Sequence, residues 1–179
     1  MRGGGFEVFG IKNMMNRLDQ SVLKLDALCK AAVSAGCALV EKEAKLSMRG
    51  AKSGKTYKVP GTKSAQHKAS APGEPPAILF GRLMASITWN IENREKAMPY
   101  TFKNGTDVAT IPATGTMPLI VIGLIGTNLK YSKRLEYGFF GTDSMGRTYA
   151  QEPRPFLFPA LKRKQGEIAL LFRETLRKL

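Results

Sequence analysis

Apolar residues recur at helical spacing over a long stretch near the start of the chain, about residues 12–47. They lie three and four residues apart, which is the period of an amphipathic helix. The stripe consists of Leu18, Val22, Leu25, Cys29 and Ala32, and it resumes at Leu39 or Val40 and at Ala44. Gly36 interrupts the stripe and indicates either a kink or a close contact with another helix. Such a helix would be about 54 Å long, which is longer than one small domain needs, so we expect part of it to pack on a neighbouring subunit.

A second amphipathic helix is predicted at the other end of the chain, from about residue 159 to residue 179. Pro159 suits its first turn, where a missing N–H costs little. Lysines and arginines late in the segment complement the helix dipole. The predicted apolar face consists of Leu161, Ile168, Leu171, Phe172, Leu176 and Leu179.

Between the two helices the pattern is that of short strands. Ile87, Trp89 and Ile91 alternate with polar residues, as in a half-buried strand. Residues 119–125 form an almost continuous apolar run, which is typical of a strand in the centre of a sheet. The dipeptide Asn104-Gly105 favours a tight hairpin turn, because its two residues adopt positive φ readily.

These patterns together predict an α+β fold with a long N-terminal helix, an antiparallel sheet of about four strands, and a C-terminal helix packed on that sheet. Short helices are expected over residues 77–85 and 129–137, and a loop over residues 138–152. We expect residues 1–179 to form a single domain. Within it, residues 1–11 are expected to form a flexible arm and residues 48–76 a long basic loop.

Positive charge is concentrated in that loop. The chain has 28 Lys and Arg residues against 14 Asp and Glu residues, a formal net charge of +14, which favours polyanionic partners such as nucleic acid or acidic protein surfaces. No acidic residue lies between Lys45 and Lys68. The candidate residues for contact with DNA or with a protein partner are Lys52, Lys55, Lys58, Lys63 and Lys68.

Residues that carry catalysis or bind metals are scarce. A single histidine, His67, and two cysteines, Cys29 and Cys37, nearly exclude a zinc site built from Cys and His ligands. A lone histidine is more often a structural hydrogen-bonding residue than a catalyst. The cysteines lie too far apart on one predicted helix to form a disulfide, and we expect them to be small buried residues.

Other activities find no support in the sequence. Residues 50–56 (GAKSGKT) resemble a phosphate-binding loop, but they have one residue too few between the glycines and no preceding strand. No apolar run is long enough to cross a bilayer, and the first ten residues contain no apolar signal region. We therefore expect a protein made in the cytoplasm that is not an enzyme, with no catalytic residue, cofactor, metal or small-molecule substrate and no membrane contact.

Three segments of the chain carry sequence motifs. The first is His67-Lys68-Ala69-Ser70-Ala71-Pro72-Gly73-Glu74-Pro75-Pro76-Ala77, followed by Gly81-Arg82-Leu83 and Ser86-Ile87. The second is Ile122-Gly123, then Tyr131, then Leu135-Glu136-Tyr137-Gly138. The third is Arg154-Pro155-Phe156-Leu157-Phe158-Pro159-Ala160-Leu161. In this order the three segments resemble the signature of a known family, the tail-completion or neck proteins of long-tailed bacteriophages. Ser132 and the inserted pair Phe139-Phe140 depart from the family pattern.

The resemblance implies a structural protein of the virion that assembles as a ring, most often a hexamer, around the channel through which DNA passes. Its expected partners are other copies of itself and other neck and tail proteins, namely the stopper or connector, the tail terminator and the tail tube. Its expected location is the virion neck or tail, after assembly in the host bacterial cytoplasm. The motif residues expected to be structural are Pro72, Gly73, Glu74, Pro75, Pro76, Glu136, Gly138, Arg154, Pro155, Phe156 and Pro159.

The positive charge also supports a different class of function. Residues 45–68 could bind nucleic acid without sequence preference, since lysines contact phosphates without reading bases. Only Tyr57 lies among these lysines as an aromatic residue, so base stacking has little support. A solvated loop, or one that docks on an acidic protein face, is an equally open interpretation.

Overall fold

The computed structural model describes residues 10–94, 101–104, 107–110 and 120–178, and of residues 11, 12, 15, 93, 94, 101–104 and 107–110 the backbone alone. The elements in chain order are α1 (Ile11–Arg49), β1 (Thr56–Lys58), β2 (Gln66–Lys68), α2 (Arg82–Ser86), β3 (Thr88–Arg94), β4 (Thr101–Asn104), β5 (Asp107–Thr110), β6 (Ile120–Gly126), α3 (Ser132–Tyr137), β7 (Phe139–Thr142), β8 (Thr148–Gln151) and α4 (Leu157–Leu176). The fold is mixed α+β, as predicted. Most of the predicted arm, residues 1–9, lies outside the described residues.

The helix α1 is the one that the apolar stripe predicts, and it runs unbroken for 39 residues. Gly36 does not end or interrupt it. A Cβ atom added at Gly36 would lie 3.4 Å from Cγ2 of Ile168 on α4. Of the two interpretations of Gly36, the close helix contact is therefore the one that the structure supports.

The helix α4 packs against α1, which corrects the prediction that it packs on a sheet. The two helices run antiparallel, because Arg163 of α4 pairs with Glu43 of α1 (Nε to Oε1, 2.8 Å), whereas Ile168, further along α4, lies at Gly36. The physical reason is length. The 20 residues of α4 need a long apolar partner, and the stripe on α1 is long enough, whereas the longest strands have seven residues.

The strands form four separate two-stranded antiparallel ribbons, so the prediction of one sheet of about four strands is wrong. The long ribbon, β3 with β6, packs on α1 where Gly123 crosses the helix. A Cβ atom at Gly123 would overlap Sγ of Cys37 and would lie 2.8 Å from Cγ1 of Val33. The helix thus covers one face of the ribbon, while Leu124 on the other face is 46% exposed. The apolar run is half-buried for this reason, and β6 is not a central strand.

Two further ribbons, β4 with β5 and β7 with β8, are formed by neighbouring strands in the chain. β4 pairs with β5, which confirms the predicted pairing of the segments on either side of Asn104-Gly105. Asn104 lies opposite Asp107 and ends β4, however, so it is not a central turn residue as predicted. The loop predicted over residues 138–152 is wrong, because β7 and β8 pair there. Asp143 organises that turn, since its carboxylate accepts the N–H groups of Met145 (2.9 Å) and Arg147 (3.0 Å). Aspartate side chains that accept backbone N–H groups of their own turn are common, and Gly146 in the same turn adopts a positive φ of 78°.

The buried core lies where the C-terminal half of α1 meets the start of α4. Val40, Ala44 and Met48 are four residues apart on one face of α1 and are almost fully buried. They pack with Leu83, Ile87, Phe156 and Ala160. The core is therefore built from segments at both ends and in the middle of the sequence.

Candidate functional site

The three motif segments meet in one region beside this core. The N–H of Gly73 donates to the carbonyl oxygen of Pro153 (2.9 Å), and the N–H of Arg154 donates to that of Leu135 (2.6 Å). The guanidinium Nε of Arg154 donates to the carbonyl oxygen of Ser70 (3.1 Å). Segments up to 84 residues apart in the chain are thus joined by direct hydrogen bonds. We call this region the motif joint.

Within the motif joint, the carboxylate of Glu136 holds the start of α4. Its oxygens accept the backbone N–H groups of Phe156 (2.9 Å), Leu157 (3.1 Å) and Phe158 (2.8 Å). The first N–H groups of a helix have no partner inside the helix, and the residue at the cap position, Phe156, has no side chain that could accept them. A carboxylate also complements the positive end of the helix dipole. Glu136 therefore caps a helix that begins 21 residues later in the chain.

Glu74 performs the corresponding task in the first motif segment. Its carboxylate accepts the hydroxyl of Ser53 (2.5 Å) and the N–H groups of Ser53 (3.1 Å) and Ala71 (2.8 Å). The hydroxyl of Ser53, the N–H of Ala71 and the N–H of Ser53 together lower the pKa of Glu74 to about 2. These bonds tie the segment after α1 to the Pro-rich segment of residues 72–76.

The remaining motif residues are placed by backbone conformation and packing. Gly73 (φ 80°) and Gly138 (φ 77°) adopt the left-handed region that favours glycine, and a Cβ atom at Gly138 would also lie 2.8 Å from the carbonyl oxygen of Gln151. Phe156 is fully buried. Pro72 is exposed, Pro76 is buried, and the half-buried prolines are Pro75, Pro155 and Pro159. Pro159 lies in the first turn of α4, as predicted.

Beside the motif joint, at the C-terminal end of α1, lies a groove of about 390 Å³ that we call the motif groove. Its floor includes Met48 and Leu83, and its rim carries Tyr57, Phe80 and Tyr131. His67 reaches it from β2, where its ring packs edge-on against Tyr57 with centroids 5.4 Å apart. The charged side chains in its lining are those of Arg82 and Arg154, and no described lining residue is acidic.

Residues 55–68, which contain the ribbon of β1 and β2 and the turn between them, carry four of the five candidate lysines. We call this segment the basic hairpin. It lies within the predicted loop of residues 48–76, and Thr56 is paired with Lys68 and Lys58 with Gln66. Because side chains alternate along a strand, these residues face away from Tyr57 and His67. The exposed lysines are Lys55, Lys58, Lys63 and Lys68.

Lys52 differs from the other four lysines because its side chain is hydrogen-bonded to the main chain. It is half-buried, and its Nζ donates to the carbonyl oxygen of Ser47 near the end of α1 (3.0 Å). Burial lowers the pKa of Lys52, and the nearby carboxylate of Glu74 opposes that change. The structure therefore separates one structural lysine from four free ones, a difference that the sequence pattern does not reveal.

Neither cysteine lies in the motif joint or the groove. Cys37 is buried against β6, as predicted, and burial raises the pKa of its thiol. Cys29 is half-buried. Across the part of the chain that the structure describes, no three His, Cys, Asp or Glu side chains are grouped as metal ligands would be. A membrane-spanning helix is likewise not found among the described helices.

Comparison of the chain with protein-family models, with curated proteins and with solved structures finds no match. The resemblance to phage neck proteins therefore depends on the quoted motif segments. Sequence reasoning missed the role of Glu136 as a distant cap. The available signal was a predicted helix that begins after Pro155-Phe156 without any capping side chain, in a chain with few carboxylates.

Proposed function

We propose that this chain is a structural subunit of the neck or tail top of a long-tailed bacteriophage. In this proposal it assembles as a ring, with a hexamer as the expected form, and completes the tail around the DNA channel. Its partners are other copies of itself and the adjoining neck and tail proteins. It carries out no reaction.

The observation that carries the proposal is that the motif residues stabilise the fold of the subunit. Glu74 and Glu136 hold backbone N–H groups, Gly73 and Gly138 make left-handed turns, and Phe156 fills the core. Every one of these tasks stabilises the subunit. A signature made of such residues is what a purely structural family would share, whereas the signature of an enzyme family includes reactive side chains that converge on a substrate.

The surface supports the assembly part of the proposal. Many large apolar side chains of the described residues are exposed in the single chain, and where such side chains form contiguous patches they mark interaction sites. The most exposed are Tyr137 (79%), Met145 (75%), Phe80 (73%), Phe140 (69%), Leu23 (68%) and Phe158 (66%). A ring subunit needs two different surfaces of this kind, one for each neighbour.

The test is the protein composition of purified virions. Quantitative mass spectrometry should detect this chain in particles of the phage that encodes it, at one ring of copies per portal ring. A phage in which the gene is disrupted should produce filled heads and tails that do not form stable complete particles. Absence of the chain from purified particles would refute the proposal.

A second candidate function, nucleic-acid binding without sequence preference, is favoured by the four exposed lysines. None of the described residues forms an ion pair with Lys55, Lys58, Lys63 or Lys68. If all four contact phosphates, the affinity for duplex DNA should fall about 150-fold between 50 and 200 mM salt, as expected for about four released counterions.

The matched control for this function lies on α4. Alanine at the four hairpin lysines should abolish binding in a fluorescence anisotropy assay with a 30-base-pair duplex. Alanine at four exposed cations of α4 and of the two residues that follow it, chosen to remove the same charge, should leave most of the binding; these are Lys162, Arg173, Arg177 and Lys178. Equal losses in both variants would show a general charge effect and would exclude the basic hairpin as the site.

A further inference from the structure

The motif groove is apolar, open and bordered by cationic side chains. Four of the large apolar side chains that are exposed in the single chain converge on it, namely Tyr57, Leu79, Phe80 and Tyr131. Arg82 and Arg154 supply positive charge, and no described lining residue supplies a carboxylate. Its chemistry therefore suits a short segment with aromatic or aliphatic side chains and one negative charge.

We propose that the motif groove binds residues 6–9 of a second copy of this chain. That segment reads Phe6-Glu7-Val8-Phe9, which is three apolar side chains and one carboxylate. Phenylalanine side chains are large apolar anchors that suit an aromatic-lined groove. Glu7 would lie near Arg82 or Arg154 at the rim, where a carboxylate and a guanidinium form strong paired hydrogen bonds.

The length of α1 requires the segment to come from another molecule. Ile11 begins the helix, and Met48 in the groove lies 48 − 11 = 37 residues further along it, a distance of about 56 Å. Phe6 is five residues before Ile11, and an extended chain of five residues spans at most about 18 Å. The segment therefore cannot reach the groove of its own molecule.

The first part of α1, which follows residues 6–9 in the sequence, extends past the end of α4. All described side chains of residues 13–24 are exposed, because α1 continues past the end of α4. This overhang is about 18 Å long and carries an apolar stripe of Met14, Leu18 and Val22, which are 61%, 55% and 59% exposed. A helix end without packing is only marginally stable alone, so a neighbouring copy beneath the stripe would stabilise it and position residues 6–9 for the groove.

This inference deepens the proposed function, and rests on it only in so far as both require self-association. It names the contact by which one copy holds the next: an N-terminal segment inserted into the groove beside the neighbour's motif joint. Such a contact joins one surface to a different one, so it is heterologous and can close a ring.

The test is photo-crosslinking with the purified full-length chain. The photoreactive analogue p-benzoylphenylalanine replaces Phe6 or Phe9, and a chain of natural isotopes is mixed with a chain labelled with ¹⁵N. We expect crosslinks between a light and a heavy copy that map to residues 79–82, Tyr57 or Tyr131. The same analogue at Phe158, which is exposed outside the groove, is the matched control and should not crosslink to these residues.

Two further measurements test the same contact through its effect on self-association. Alanine at both Phe6 and Phe9 should raise the concentration for half-association by at least about tenfold in sedimentation velocity. Glu7→Arg should weaken association, and Arg82→Glu in the same chain should restore it. Crosslinks within one copy, crosslinks to a surface other than the groove, or unchanged association of the alanine variant would each overturn the inference.

These measurements use no phage particles. A segment found on another surface would leave the virion proposal standing. Absence of the chain from virions would equally leave the groove contact standing as a property of the purified protein.

Discussion

The bond between Glu136 and the start of α4 allows a quantitative test of the motif joint. The perturbation is Glu136→Ala, which removes the acceptor of three backbone N–H groups. Two of these bonds, to Phe156 and Leu157, are partly buried, and the bond to Phe158 is exposed. The exposed N–H regains a hydrogen bond from water, so its loss contributes little.

The magnitude follows from the two partly buried N–H groups. A buried donor left without a partner costs about 1–3 kcal/mol, and the loss of a helix cap alone costs about 0.5–2 kcal/mol. We therefore expect Glu136→Ala to lower the free energy of unfolding by about 2–4 kcal/mol. For a chain of this length that corresponds to a fall in Tm of about 5–15 °C. Glu136→Gln retains one carbonyl oxygen as an acceptor and should lose about half as much.

The assay is urea denaturation followed by circular dichroism at a concentration where the chain is monomeric. Glu174→Ala is the control, because Glu174 is an exposed carboxylate on α4, the helix that Glu136 caps. This change should alter the free energy of unfolding by less than about 0.5 kcal/mol. If Glu136→Ala is as stable as this control, the carboxylate does not stabilise α4 through the N–H groups at its start, and the proposed role of Glu136 as a cap is refuted.

Three further predictions concern the core, the ribbon contact and acid stability. Phe156→Ala should lower the free energy of unfolding by about 3–5 kcal/mol in the same urea assay, and a near-neutral result would mean that the ring is not core. Gly123→Ala should destabilise the chain by about 1–3 kcal/mol because the new methyl group would overlap Sγ of Cys37; a second change, Cys37→Ala, should recover part of this loss, and no recovery would contradict the contact. The stabilisation from Glu74 is fully present above the ordinary carboxyl pKa of about 4.3 and is lost as the pH falls towards and through its folded pKa of about 2. Glu74→Gln should therefore be less stable than the natural chain at pH 6, and the difference should shrink towards pH 2; a constant difference would refute this assignment.

The sequence alone determined the helices because their patterns are local. The three-and-four spacing from Leu18 to Ala44 requires only that one face of a helix be buried, whatever covers it. The pairing around Asn104-Gly105 is local in the same sense, since turn geometry fixes the register of a hairpin. Residue type predicted exposed lysines and buried cysteines, but it did not separate the half-buried Lys52 from the four exposed lysines or the half-buried Cys29 from the buried Cys37.

The tertiary structure decided what each face packs against. The apolar run of residues 119–125 has the composition of a central strand, but α1 covers its Gly123 face and leaves Leu124 exposed, so a two-stranded ribbon results. The prediction of α4 on a sheet was wrong for the same reason, because residue type does not specify a partner. Asp143, Ser144 and Gly146 are residue types that are common in turns, but the pairing of β7 with β8 on either side of them depends on contacts between the two segments.

The motif joint shows this division most clearly. The motif residues could be named from the sequence, but their tasks could not. A carboxylate such as Glu136 can be a solvated charge, a catalyst or a cap, and only its position 2.8–3.1 Å from three N–H groups of α4 distinguishes them. Hydrogen bonds act over a few ångströms, whereas the residues that they join lie 20 to 84 positions apart in the chain. Local patterns therefore fix which elements form, and the three-dimensional packing alone fixes which distant residues meet.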